Sequence, residues 1–162
     1  MTSAQLDRAD KASWVAVYSA SAVAIGHVAV HTLRAVTFPF PLDYGEGPLL
    51  GQARALALGQ SIYRADLGDY PFTIANYPPL YPALLALAAK AFGLSCVTAR
   101  SITLAAVIAC ASLVAALVYT VTRDRRASFV GGVLFLASPY VVFWASLARV
   151  DFVALAFALG AL

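Results

Sequence analysis

Two acids, Asp43 and Glu46, stand three residues apart in the segment PLDYGEGPLL, where the chain leaves its first long apolar run. A carboxylate beside apolar surface can take a proton from a substrate, bind a cation or cap a helix. Pro48 suits a first helical turn, and the dipole of a helix that starts there favours a negative charge at Glu46. Catalysis and helix capping therefore both remain open for this pair.

A third acid, Asp151, follows Arg149 in the segment LARVDF, directly before the last apolar run. It could pair with Arg149, cap the helix that follows, or join Asp43 and Glu46 in one site. The last interpretation requires all three acids to lie on the same side of the molecule. The apolar segments that position them therefore decide between these alternatives.

The composition is that of a membrane protein. Hydrophobic residues make up 62% of the 162-residue chain and charged residues 12%, whereas soluble domains carry about 25% charged residues. The net charge of +3 comes from basic residues that are mostly dispersed, which argues against a nucleic-acid partner. Cys96 and Cys110 lack the spacing of a metal site, and we expect them to pack as small apolar residues.

Four apolar segments are expected to enter the membrane, because a spanning helix needs about 20 apolar residues. They comprise residues 14–36, 101–121, 127–147 and 152–162. The last segment is too short to span, so we interpret residues 1–162 as a single N-terminal fragment of a longer domain. Arg8 and Lys11 precede the first segment and place the N-terminus in the cytoplasm under the positive-inside rule.

Residues 38–98 form a large outer loop in this topology. A helix from Pro48 to about Gln60 is expected to lie on the membrane surface. The apolar run Leu80–Phe92 is shorter than a span and contains Lys90, so we interpret it as an interfacial or re-entrant helix, with a true span as the alternative. The basic cluster in TRDRR favours the first interpretation, because the cluster then falls on the cytoplasmic side.

The predicted fold is thus an all-α, polytopic transmembrane helix bundle with interfacial helices in its first outer loop. Asp43, Glu46 and Asp151 share the outer face of this bundle. His27 and His31 lie four residues apart on one helical face. We interpret them as polar residues that face neighbouring helices rather than as a pair of metal ligands.

The order of the segments resembles the N-terminal part of the dolichyl-phosphate-mannose–protein mannosyltransferase-like family. This family belongs to the GT-C superfamily of membrane glycosyltransferases, which includes the bacterial aminoarabinose lipid A transferases. The resembling pattern is DYGEG, then NYPPLYPALLALAAKAFGLSCVTARSITLAAVIACASLVAALVYTVTRDRR, then LARVDFVALAF. It covers nearly the whole chain but only about the first third of a typical family member.

The resemblance implies transfer of a sugar from a polyprenyl-phosphate donor to a lipid, glycan or protein acceptor on the extracytoplasmic side, with inversion. It also implies a multi-pass protein of the bacterial inner (plasma) membrane, in contact with membrane lipids. An acid in the first outer loop of these enzymes is the general base. By this resemblance, Asp43 is the preferred base and Glu46 is the alternative. Both stay open because family members carry two adjacent acids, whereas Tyr44 and Gly45 separate the two acids of this chain.

Substrate-binding roles follow from the same resemblance. Asp151 matches a family acid that could assist substrate or metal binding, and a divalent metal is the one cofactor left open. Tyr77 and Pro78 stand where the aminoarabinose transferases carry a metal ligand and a phosphate-binding lysine, so neither role is assigned there. Candidates for phosphate recognition are Arg64, Lys90 and Arg149, each of which could instead anchor the chain at the interface, and Tyr77 could stack on a sugar.

A non-catalytic membrane module is the alternative function. The chain would then be a piece of a transporter or an assembly partner, and its acids would cap helices or bind ions. If the chain is instead part of a glycosyltransferase, we expect this fragment to be inactive on its own.

Overall fold

The computed structural model describes residues 3–64, 66, 68, 70, 72 and 74–162, and this part of the chain is all-helical, without strands. The seven helices run in the order α1 Ser3–Thr37, α2 Glu46–Ala57, α3 Leu80–Phe92, α4 Cys96–Thr122, α5 Arg125–Ala137, α6 Pro139–Trp144 and α7 Asp151–Gly160. The predicted all-α class is confirmed.

Within the described residues, two helices are long and apolar enough, by length and composition, to cross a membrane. They are the stretch Gln5–Thr37 of α1 and the whole of α4. At about 1.5 Å of rise per residue, α4 extends about 40 Å, which exceeds a hydrocarbon core of about 30 Å. These helices contain the predicted spans 14–36 and 101–121.

Helix α4 is the centre of the molecule, since it packs against α1, α3, α5 and α7. The side chain of Arg100, near the start of α4, donates to the carbonyl oxygens of Ala35 and Phe38 at the end of α1. At the other end, the Arg126 guanidinium at the start of α5 lies over the Trp14 ring near the start of α1, 5.1 Å from its centroid. Helix α4 is therefore antiparallel to α1, and α5 is parallel to it.

The segment 127–147, which the sequence predicts to be a third span, is not one helix. Helix α5 ends at Ala137, Ser138 has the extended ψ of 129°, and α6 begins at Pro139. The proline ring disfavours helical geometry at the preceding residue and has no N–H to donate, so the helix breaks there. The expected continuous helix is wrong, although its residues are mostly helical.

The short apolar helices differ little from their expected bounds. Helix α3 has the predicted bounds Leu80–Phe92, whereas α2 begins at Glu46, two residues before Pro48, and ends at Ala57 rather than near Gln60. Helix α2 packs against α3. Buried residues of both helices join α4 and the α6–α7 segment in one core, made of Leu49, Ala53, Tyr81, Leu85, Ala86, Ala99, Ala148 and Val153.

Candidate functional site

The centre of the candidate site is a buried ion pair between Glu46, the first residue of α2, and Arg100 in the first turns of α4. Both side chains are 0% exposed. Arg100 Nε donates to Glu46 Oε1 at 2.8 Å, and Arg100 Nη2 donates to Oε2 at 2.6 Å. The planar fork of arginine matches a carboxylate in this way, and such two-bond pairs fix geometry as well as charge.

The remaining acceptor positions of Glu46 bind backbone. Oε2 accepts from the Leu42 N–H at 2.7 Å, and Oε1 accepts from the Ala148 N–H at 2.9 Å. Burial raises the pKa of the Glu46 carboxyl, but the hydrogen bonds from Arg100, Ala148 and Leu42 outweigh burial and leave the pKa below its usual value. Each carboxylate oxygen thus accepts two hydrogen bonds, which fills the acceptor capacity of the group.

The other donors of Arg100 hold the chain between α1 and α2. Besides the carbonyls of Ala35 and Phe38, the guanidinium donates to the Phe40 carbonyl at 2.7 Å. These carbonyls lie at the end of a helix and in the loop after it, where no intrahelical donor satisfies them. Arg100 therefore fixes the path of the chain into the segment that carries Asp43.

Asp43 lies directly beside this pair but in a more open environment. Its side chain is 16% exposed, and Oδ2 lies 3.6 Å from Arg149 Nη1. The same oxygen accepts from the Gly45 N–H at 3.1 Å. Oδ1 accepts no hydrogen bond from the residues that the structure describes, so Asp43 keeps an acceptor that Glu46 lacks.

Gly45 allows Asp43 and Arg149 to approach each other. A Cβ atom at position 45 would lie 2.9 Å from Asp43 Oδ2 and 3.8 Å from Arg149 Nη1. The first distance is too short for a real contact, so a larger residue here would displace the aspartate. The glycine that separates the two acids in the sequence thus serves close packing.

Arg149 is held on several sides. Its Nε donates to Asp151 Oδ2 at 3.1 Å, and its guanidinium lies over the Trp144 ring, 4.3 Å from the ring centroid. Its backbone N–H donates to the Thr103 hydroxyl at 3.0 Å. The Asp151 side chain is 45% exposed and lies in the first turn of α7.

A cleft of about 200 Å³ opens beside these groups. Its walls come from α2, from the segment 74–77 and from Arg149 and Val150, and Tyr77 is part of the lining. Gly45 and Arg149, both of which contact Asp43, line the cleft as well. The cleft therefore adjoins the Asp43 carboxylate, which is not itself among its lining residues.

The structure brings together most, but not all, of the candidates that the sequence singles out. Asp43, Arg149 and Asp151 are joined by ion pairs, Glu46 lies behind them, and Tyr77 lines the cleft. Arg64 lines a second cavity with Gln60 and Tyr70, and Lys90 is exposed in the last turn of α3.

Arg100 is the residue that sequence reasoning missed. A signal was present, because an arginine at the start of an apolar helix needs a partner or an interface. Its partner stands 54 positions away in the chain, and no local pattern shows such a pairing.

No group of three or more potential metal ligands among histidine, cysteine, aspartate and glutamate occurs in the described part of the chain. The His27 and His31 rings are near-parallel on α1, with centroids 6.4 Å apart. Cys96 and Cys110 are both buried and unpaired with each other, as expected for small packing residues. Comparison with family models, curated proteins and solved structures gave no match for this chain.

Proposed function

We propose that this chain is the N-terminal part of an inverting membrane glycosyltransferase of the GT-C type, with Asp43 as general base. The proposal is supported most directly by the different states of the two acids in DYGEG. Glu46 is buried and fully hydrogen-bonded, whereas Asp43 is partly exposed and keeps one carboxylate oxygen to which no described residue donates. A general base must have an acceptor within reach of the substrate proton.

The proposed step is a single displacement. An acceptor hydroxyl oxygen attacks the anomeric carbon, the bond from that carbon to the phosphate oxygen breaks, and the polyprenyl phosphate leaves with the bonding electrons. Asp43 takes the hydroxyl proton as the new bond forms. Attack from the face opposite to the leaving group inverts the anomeric centre.

Arg149 fits the role of a positioning residue in this scheme. Its guanidinium balances the negative charge of Asp43 and Asp151, and its stacking on Trp144 restricts its own movement. The Thr103 hydroxyl, which also accepts from Tyr81 or donates to it at 3.1 Å, holds the backbone of Arg149.

The proposed cellular setting follows the predicted topology. The N-terminus lies in the cytoplasm, α1 and α4 cross the plasma membrane, and Asp43 faces the extracytoplasmic side with the short helices α2 and α3 at the interface. The antiparallel arrangement of α1 and α4 is compatible with this setting, because it puts Asp43 at the opposite end of the molecule from Arg126.

The test compares Asp43→Asn with Glu46→Gln in the full-length protein, using a polyprenyl-phosphate sugar as donor. Asp43→Asn is expected to abolish most transfer while leaving the protein folded, since its side chain keeps nearly the same shape. Glu46→Gln is expected to lower the amount of folded protein more than the activity per folded molecule. Full transfer by Asp43→Asn would refute the proposed base, whereas the absence of transfer by the wild type would favour the non-catalytic membrane module.

A further inference from the structure

The cleft beside Asp43 is lined by an amide that makes no hydrogen bond to the described part of the protein. Gln52 lies on α2, is 8% exposed and lines the cleft. Its side chain makes no hydrogen bond with any residue in the described ranges. The amide therefore keeps its donor and acceptor capacity for a ligand in the cleft.

The position of Gln52 connects it with the proposed base. Gly45, Pro48, Leu49 and Gln52 all line the cleft, and their spacing of three, four and seven residues places them on one face of α2. Gly45 donates to Asp43 at one end of this face, and Gln52 lies about two helical turns along it. The Gln52 end of this face thus lies about 10 Å along the helix from the end that adjoins Asp43.

The charges around the cleft disfavour an anion. Arg149 is the cationic residue in the lining, and it is paired with Asp43 and also with Asp151. One positive charge among two negative charges leaves this end of the cleft with a negative excess. Neither carboxylate lines the cleft, and a phosphate placed in it would find no unpaired cation among the lining residues that the structure describes.

The remaining lining groups suit hydroxyl groups on a ring. Gln52 and Asn76 carry side-chain amides, each of which both donates and accepts hydrogen bonds. Tyr44 and Tyr77 offer exposed aromatic rings on which the apolar face of a ligand can pack. The cleft of about 200 Å³ is smaller than pockets for drug-sized ligands, which run from about 300 Å³ upwards, so it fits a single ring.

We infer that this cleft binds a neutral, polyhydroxylated ring of the pyranose class, with the Gln52 amide bonded to ring hydroxyls. Its role as the acceptor site, distinct from the site of the lipid phosphate, rests on the proposed function. The binding itself does not depend on catalysis, because it needs only the cleft, the amides and the tyrosines.

Ligand-observed NMR titration of the full chain in detergent micelles tests this inference, with methyl hexopyranosides as probes. The pyranosides are expected to bind, and Gln52→Leu is expected to weaken binding roughly fivefold to tenfold, the effect of one lost neutral hydrogen bond. Gln60→Leu is the matched control, because Gln60 is exposed and lies outside this cleft. Asn76→Ala gives a second test, and it should also weaken pyranoside binding. Asn76 is exposed, so we expect this substitution to leave the fold intact.

Equal pyranoside affinities in the wild type, Gln52→Leu and Asn76→Ala would overturn the inference, as would the absence of pyranoside binding. Inorganic phosphate that displaces the pyranoside in an Arg149-dependent manner would also overturn it. Binding that depends on Gln52, together with no transfer from a polyprenyl-phosphate sugar by the full-length wild type, would support the cleft and refute the proposed function. The two proposals therefore fail in different experiments.

Discussion

The two acids of DYGEG differ in what their side chains touch, although they stand three residues apart. The carboxylate of Glu46 binds Arg100 and two backbone N–H groups, those of Leu42 and Ala148. Leu42 precedes Asp43 in the chain, and Ala148 precedes Arg149. One buried carboxylate thus fixes the backbone next to both members of the Asp43–Arg149 pair.

Breaking this buried pair should destabilise the fold strongly. Arg100→Met leaves the Glu46 charge buried without its partner, and we expect the free energy of unfolding to fall by about 3–5 kcal/mol. Unfolding in mixed detergent micelles measures this change. Arg126→Met is the control, because Arg126 and Asp10 are exposed and 4.0 Å apart, and it should cost no more than about 1 kcal/mol. Similar losses in the two variants would contradict the assigned role of Arg100.

Acid should weaken the fold through Glu46. Its folded-state pKa is lowered, so the folded state binds its proton less readily than the unfolded state, in which the pKa is about 4.3. The stabilisation is complete above that pH and is lost as the pH falls through the lower, folded-state pKa. The free energy of unfolding of the wild type should therefore decline below about pH 4.3, by up to about 1.4 kcal/mol per pH unit.

Glu46→Gln removes the titrating group and tests this pH dependence. The variant is less stable at neutral pH, and its free energy of unfolding should change less steeply below about pH 4.3 than that of the wild type. Parallel curves for the two proteins would show that Glu46 does not carry the acid dependence.

At the scale of elements, the sequence predicts the helices better than it predicts their partners. The apolar run of α3 has the bounds that its composition indicates, and α1 and α4 contain the two predicted spans. The break at Ser138 has a local signal in Pro139, which stands inside the apolar run. The pairing of Glu46 with Arg100 depends on how distant helices pack, which local periodicity does not contain.

The contact between α4 and α5 depends on small residues. A Cβ atom on Gly132 would lie 3.2 Å from the Ala111 carbonyl oxygen and 3.3 Å from the Ala115 Cβ. The small residue at this position therefore allows the close approach of the two helices. Helix α4 also packs against α7, the helix that follows Arg149.

Gly132→Val should separate these helices and lower the free energy of unfolding by about 1–3 kcal/mol, the usual cost of overpacking. Gly26→Val is the control, since the space around Gly26 on α1 is open within 4 Å. Both variants place the same β-branched residue in a helix, so the difference between their free energies of unfolding reports the effect of packing alone. Detergent-induced unfolding measures both, and an equal loss would argue against tight packing at Gly132.

At the scale of the whole molecule, the helices separate two ends of different character. Arg126 lies beside Asp10 and Trp14 at the N-terminal end, and Asp43 and Arg149 lie at the other end. Helix α3 belongs to the Asp43 end, because the Tyr81 hydroxyl donates to the Ala99 carbonyl at the start of α4. This arrangement agrees with the prediction that Leu80–Phe92 does not carry the chain from one end to the other.

Single cysteines at positions 66 and 124 test this arrangement in the membrane. In a background without Cys96 and Cys110, Asp66→Cys and Asp124→Cys should react with a membrane-impermeant maleimide from opposite sides. Asp10→Cys is the matched control and should react from the same side as Asp124→Cys. Reaction of Asp66→Cys and Asp124→Cys from one side would mean that α3 crosses the membrane, and Asp151 would then leave the proposed site.

The central claim is that Asp43 takes the proton from the acceptor hydroxyl, and the single-turnover rate of Asp43→Asn tests it most directly. The full-length variant is compared with the wild type at saturating lipid-linked donor, after unfolding curves have shown that both proteins are folded. The account predicts a rate about 10²–10⁴-fold lower than in the wild type, the usual contribution of a general base, with the KM for the donor little changed. A rate within a few-fold of the wild type would contradict it.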